Sequence, residues 1–483
     1  MALTKLKTKI DNITPTYFQK LLQLFKDFAD WTTISFLNHI FGTSNIILVL
    51  IWVACFIGCS YMSVIQSLEL LNVYWQYPVN TESRLINQPI SFPTVTLCNE
   101  LPYKNYDQSS RLKQIVNSMT EEGNAAWDLY ELQGIDTFPY LEASKFWLTI
   151  YSKELLSDTE INYDYNDMIV RCNFGESKCN VTEDTEIVDS PVYGKCVKFN
   201  PKGIWTVNQK GSKYGLNLLM LTRNKNKLPF YISTGGVVLI HRDDEYPFVE
   251  TNPILLSPGF STSIGLSISS SKRLSFPFGD CIPNDDTEKI KNNINYYGGN
   301  YDTQKCLKSC VQKRITVNCG CFYAGIAFVD ENNENIPDCA DLIERNQTLR
   351  LSLYQCIRNQ QFPDFTKDNP FEVFDNSDCQ CRETCEKTYF DTSYSIGGYA
   401  DKSFIPRECS TKKINEAITN NVSLPYEYNR DACLAYFREN GIHLEIYFEK
   451  LGFVEEFEYP AYEVCLSIPV QFFNNLLDTT INI

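Results

Sequence analysis

Histidine is nearly missing from this chain of 483 residues: only His39, His241 and His443 occur. None stands beside the cysteine clusters, and no cysteine pair has the C-x2-C spacing of a zinc knuckle. Structural zinc therefore lacks a ligand set, and no metal or cofactor is expected. The signatures of catalysis are missing too: there is no G-x-S-x-G elbow, no phosphate-cradling P-loop and no H-E-x-x-H helix. The chain does not read as an enzyme. Basic residues are outnumbered, 43 Lys and Arg against 59 Asp and Glu, which leaves a net charge of −16. A surface of that sign repels phosphate backbones, so no nucleic acid is expected as a partner. Runs such as Asp243-Asp244-Glu245 arise freely in so acidic a chain and by themselves suggest a solvated loop.

Charge vanishes altogether between Trp31 and Leu68. Inside this stretch Ile46–Ile65 is almost continuously apolar. Twenty helical residues span about 30 Å, the thickness of a bilayer's hydrocarbon core. The run is too far from the N-terminus and too long for a cleaved signal, so a transmembrane helix is expected at 45–66. Lys5, Lys7, Lys9, Lys20 and Lys26 precede it, and Arg84 is the first basic residue after it. The positive-inside rule then makes 1–44 cytosolic and 67–464 extracellular, at the plasma membrane. What the chain does have is cysteine, 19 in all. In an oxidising exterior these read as a disulfide framework. Three Asn-x-Ser/Thr triplets, at Asn180, Asn346 and Asn421, suit a glycosylated surface.

The exterior part reads as mixed α and β, an α+β class. Alternation and β-branched residues predict strands at Ile90–Leu97, Tyr231–His241, Ser261–Ser269 and Ile442–Phe448, with Pro93 suggesting an edge. Helices are expected at Ser109–Met119, Tyr301–Gln312 and Ala340–Tyr354. Cys306 and Cys310 would then share one helix face.

Several motifs together resemble the degenerin, epithelial sodium channel and acid-sensing channel superfamily. After the span comes Phe92-Pro93-Thr94-Val95-Thr96-Leu97-Cys98-Asn99, similar to that family's FPxVTxCN. Gly194-Lys195-Cys196 with Phe199-Asn200, Pro258-Gly259-Phe260 and the cysteine clusters 306/310, 319/321 and 379/381/385 follow in the family's order. The resemblance, over roughly 30–464, implies a palm, finger, thumb and knuckle ectodomain. It implies disulfides Cys98–Cys196, Cys172–Cys179, Cys281–Cys385, Cys306–Cys381, Cys310–Cys379, Cys319–Cys356 and Cys321–Cys339. Cys409 and Cys433 lie outside the family set and are expected to pair with each other, while Cys55 and Cys59 are expected as packing residues in the span.

The resemblance also implies a function: a subunit of a trimeric, ligand-gated and amiloride-sensitive sodium channel, with lipid and other channel subunits as partners. Tyr77 and Phe278 occupy the family's gating joint, and His39 matches its cytosolic gating histidine. Asp244, Glu245 and Glu445 match carboxylates of an acidic pocket. Arg358 stands where acid-sensing members carry a carboxylate, so an Arg358–Asp244 pair, and gating by a peptide or other ligand rather than protons, is expected. After Val464 the residues Gln471, Asn474, Asn475 and Asp478 make 465–483 a poor span, and no glycine is present there for a filter. The expectation is a form that does not conduct alone. The competing reading is a single-pass receptor or adhesion ectodomain that binds ligand without forming a pore.

Overall fold

The computed structural model describes residues 17, 20–21, 23–29, 31, 39–40, 45–87, 89–104, 111–117, 145–223, 228, 231, 233–283, 296–297, 300–326, 336–361, 379, 381–399, 406–420 and 424–462. They belong to two compact units, Met1–Asn80 with Pro460–Ile483, and Thr81–Tyr459.

In the first unit, α1 spans Ile46–Tyr74, 29 residues, or about 43 Å at the helical rise. Asn45 caps it, its side-chain oxygen accepting from the Ile47 amide. None of its residues is buried, although the helix is apolar on every side. Such a helix suits lipid as its solvent. It begins where the sequence places a span and runs about two turns further, carrying Glu69 beyond the uncharged stretch.

The second unit is built on β1 (Val79–Asn87), β2 (Ile90–Ser91), β3 (Thr94–Asn99), β4 (Ile169–Phe174), β5 (Ser177–Lys178), β6 (Thr185–Ser190), β7 (Gly194–Phe199), β8 (Thr206–Val207), β9 (Leu216–Leu221), β10 (Gly236–His241), β11 (Ile254–Leu256), β12 (Phe260–Lys272), β13 (Glu386–Gly398), β14 (Gly441–Phe448) and β15 (Gly452–Pro460). A mixed sheet runs β1-β15-β12-β14-β9-β4-β5, with β13 added to β12. An antiparallel sheet runs β11-β10-β3-β7-β6. Their facing sides enclose one core. On β14 every second residue (Ile442, Leu444, Ile446, Phe448) points into it, as the alternation predicts for a half-buried strand. On β3 all six residues are buried, because a second cluster with Cys98, Cys196, Val237, Leu239 and Val249 covers its other face.

Between β12 and β13 the chain makes its helical excursion: α2 (Thr303–Cys319), α3 (Cys339–Arg345) and α4 (Arg350–Gln361). They share a separate apolar cluster with residues from 111–117 and 148–161, including Leu112, Val116, Leu148, Ile315, Tyr323 and Ile357. Helix α5 (Arg430–Asn440) closes the outer face of the mixed sheet over Leu219 and Leu221.

Three expectations change. Ile90–Leu97 is two strands broken at Phe92-Pro93, and β3 is central, paired with both β10 and β7. Proline has no amide to donate, so it sits in the break rather than at an edge. Among the described residues of Tyr231–His241, only Gly236–His241 is strand. The helix expected at Ala340–Tyr354 divides at Asn346. There the side-chain oxygen accepts from the Thr348 amide and hydroxyl, a local turn that competes with the helix.

Candidate functional site

The strongest local construction is the clamp on α2. Asp302 caps the helix, accepting from the Gln304 and Lys305 amides at 2.8 and 3.1 Å. The helix ends at Gly320 in the left-handed region, φ 72°. Cys306 and Cys310, one turn apart, are bonded to Cys381 and Cys379. The returning chain then enters β13, and the residues just before it are pinned by Cys281–Cys385 and by two backbone bonds, the Ile282 amide donating to the Glu383 carbonyl and the Cys385 amide to the Ile282 carbonyl. From there β13 pairs with all thirteen residues of β12. Further disulfides are Cys98–Cys196, Cys172–Cys179, Cys319–Cys356, Cys321–Cys339 and Cys409–Cys433. Cys55 and Cys59 on α1 are unbonded.

Beside the clamp is a cleft of about 80 Å³, lined by Arg242, Asp244 and Glu245 after β10, by Asn300–Thr303 before α2, and by Thr384, Glu386 and Lys387 at the start of β13. That is room for two or three waters, or roughly one cationic head group. Arg242 donates to Asp244 at 2.7 Å, and its amide donates to Glu245 at 3.2 Å. Burial raises the pKa of Glu245, against the Arg242 amide and guanidinium, which lower it. Lys305, 5% exposed, has its pKa lowered by burial, while Asp302, Asp244 and Glu245 act the other way. Tyr301 and Thr303 donate to the Arg382 carbonyl at 2.7 and 3.2 Å and close one wall.

The residues singled out by the sequence are only partly together. Asp244 and Glu245 line the cleft, but the cation on Asp244 is Arg242, two residues away on the same turn. Among the described residues no ion pair joins Arg358 to Asp244; Arg358 is exposed in the last turn of α4. Glu445 is not at the cleft. It lies on the half-exposed side of β14, accepting from Asn217 on β9 at 3.1 Å and Ser263 on β12 at 3.0 Å. Tyr77 belongs to the first unit, with φ 49° and its ring 6.3 Å from that of Tyr74. Phe278 belongs to the second, half-buried, its amide donating to the Ser275 carbonyl. The His39 ring stacks on Trp52 of α1, centroids 4.7 Å apart. Asn180 and Asn346 are exposed, and Asn421 lies outside the described residues. Sequence reasoning missed Arg242, Asp302 and Lys305. Asp302 carried a signal, an aspartate placed directly before the helical stretch.

Compared with known proteins, residues 28–465 match the family model described as amiloride-sensitive sodium channel. The chain belongs to this family. Among its curated relatives, degenerin-like protein asic-2 of Caenorhabditis elegans is 23% identical over 92% of the chain and 81% of the relative. Degenerin-like protein asic-1 of the same organism is 28% identical over 73% of the chain and 39% of the relative. The human epithelial sodium channel subunit beta is 25% identical over 66% of the chain and 46% of the relative. The family is one of ion channels, not of enzymes.

The family motifs have structural work to do here. In the FPTVTLCN segment Phe92 packs among Phe174, Trp205 and Phe448. Thr96 bonds to His241, Cys98 is bridged to Cys196, and Asn99 donates to the Thr222 carbonyl. Asn200, buried at φ 54°, donates to the Phe92 carbonyl and accepts from the Trp205 amide.

Proposed function

We propose that the chain is a subunit of a ligand-gated sodium channel, assembled as a trimer at the plasma membrane with its N-terminus cytosolic. The ligand acts at the cleft of Asp244, Glu245 and Glu386. The observation that carries the reading is the convergence of three segments there, two of them joined by the clamp on α2. A ligand that changes the spacing of those segments acts directly on β13 and, through thirteen paired residues, on β12. Four carboxylates (Asp244, Glu245, Asp302, Glu386) against two cations (Arg242, Lys387) favour a cationic group, such as a side chain of a basic peptide.

In this reading Tyr77 and Phe278 are gating residues. His39 acts on the cytosolic side, and Asn180, Asn346 and Asn421 carry glycans. Arg242 already holds Asp244 in an ion pair within the cleft, so a cationic ligand would compete with it for that carboxylate. Residues 465–483 include Gln471, Asn474, Asn475 and Asp478 and hold no glycine, a composition poorly suited to a span or to a glycine-containing filter.

Co-expression with a full-length family member tests the proposal. The chain is expected to co-precipitate with it and to change its sodium current. No co-precipitation with unchanged current would refute the subunit reading in favour of a single-pass receptor. Strong opening of the mixed channel on going from about pH 7 to 6 would refute ligand gating.

A further inference from the structure

Ahead of α1 the described residues between Tyr17 and Trp31 are helical, and large apolar side chains recur along one side. Tyr17 is 75% exposed, Leu21 55%, Leu24 68%, Phe28 50% and Trp31 86%, with Phe25 at the rim. At 3.6 residues per turn these six fall within an arc of about 120°. Lys20, Gln23, Lys26 and Asp27 occupy the remaining exposed directions. Ala29, just beside the arc, is buried. The stripe is thus exposed, with cover only at its edge, where Ala29 lies.

We infer that this face lies in the plane of the membrane, on the cytosolic leaflet of the bilayer that α1 crosses. Three features commit it to lipid. The stripe is continuous in sequence with a membrane helix: residues 32–45 reach at most about 50 Å even when fully extended, and they hold no charge. Its bulk is largely aromatic, suited to the boundary between headgroups and acyl chains. Lys20 borders the stripe, Lys26 lies on the opposite, polar side, and Lys5, Lys7 and Lys9 precede it, complementing an anionic leaflet. A helix held flat at the foot of α1 ties lipid composition to the position of that helix. The inference rests on the membrane-spanning reading of α1 and on a cytosolic N-terminus.

Spin labels placed singly at Leu24, Lys26, Phe28 and Leu50 of the full chain, in nanodiscs containing phosphatidylserine, test it. Leu50, on α1, is the control for the span. Labels at Leu24 and Phe28 are expected to collide several-fold more with oxygen than with a water-soluble nickel chelate, with the order reversed at Lys26. Low collision with both reagents at Leu24 and Phe28 would mean that protein covers the stripe and would overturn the inference. High nickel collision there would overturn it too, by placing the stripe in water. A Leu50 label reading water would instead overturn the span itself. Nanodiscs expose both leaflets, so the result does not depend on the orientation of the chain. Replacing phosphatidylserine with a neutral lipid is expected to reduce the oxygen preference at Leu24; no change would refute the role of the lysines.

Discussion

Removing the inner rung of the clamp asks whether the two disulfides on α2 act as one device. Cys310 and Cys379 are 69 residues apart. Taken alone, closing a loop of that length would stabilise the fold by about 4.4 kcal/mol through the unfolded chain. The outer rung, Cys306–Cys381, already holds the ends together. The loop added by the inner bond therefore runs only through Cys306–Cys310 and Cys379–Cys381, roughly eight residues, for which the same relation gives about 2.5 kcal/mol. Replacing Cys310 and Cys379 with alanine should cost that smaller amount. Removing the outer rung as well costs more, because the shortest loop it closes then runs through Cys281–Cys385. That loop holds about 31 residues and adds about 3.7 kcal/mol. The assay is urea unfolding of the full chain in detergent without reductant, followed by tryptophan fluorescence. A loss near 4.4 kcal/mol from the inner rung alone would show that the rungs close independent loops and would refute the nested argument. No measurable loss would mean that other contacts already hold the unfolded chain there.

Asp302→Ala leaves the Gln304 and Lys305 amides without their acceptor and is expected to cost about 1 kcal/mol by thermal melting, with Asp302→Asn recovering most of it. Equal melting of both variants would show that the cap is not what the aspartate supplies. Gly194 has φ 72°, and a Cβ on it would lie 2.3 Å from the Pro102 carbonyl oxygen, so Gly194→Ala should cost more than about 2 kcal/mol. Surface biotinylation at the wild-type level would contradict that close approach. Glu245 has a raised pKa, so the folded state holds its proton over a pH range in which the unfolded chain has lost it. Its contribution to stability therefore falls as pH rises from the ordinary glutamate range to the raised value. Glu245→Gln should be at least as stable as the wild type at neutral pH and should lose that slope; an unchanged slope in melting temperature against pH would assign it to another group.

How legible all this was depends on the range of the interaction. The alternation of Ile442, Leu444, Ile446 and Phe448 is local, and it gave β14 and its buried face directly. The same alternation put Glu445 on the other face, but its partners Asn217 and Ser263 come from β9 and β12. That register is set by sheet pairing more than 180 residues away in sequence, which no local pattern carries. The disulfide pairing was equally non-local and came from family resemblance, because spacing alone leaves many connectivities open. The cation on Asp244 was misjudged for a related reason. Resemblance pointed to Arg358 in the position of a thumb carboxylate, while a tight turn after β10 brings Arg242 within hydrogen-bond reach of its neighbour. Family position predicts which segment approaches another more reliably than which long side chain wins a contact.

The cleft lies beside a loop that touches both of the second unit's two largest cores. One core fills the space between the sheets, and the other holds the helical excursion; they share no residue. The loop after β10 bridges them. Tyr246 and Phe248 pack on Tyr297 at 4.8 and 4.9 Å, and Lys308 of α2 pairs with Glu250 and lies 5.0 Å from the Phe248 ring centre. These are side-chain contacts of about 1 kcal/mol each, far weaker than either core. On the other side of the cleft, α2 is fixed to the entry of β13 by covalent bonds. Two rigid bodies with one covalent and one soft connection can hinge about the covalent side. The soft side then sets the angle, and that side is the loop carrying Asp244 and Glu245. A cationic ligand bridging Asp244 to Glu386 would hold the hinge closed, and like-charge repulsion between the empty carboxylates would favour opening it. Neutralising Asp244 and Glu386 together should therefore mimic the bound state, shifting the resting current of channels co-expressed with a full-length family member in the same direction as ligand. An opposite effect on current would place the sensing elsewhere in the fold.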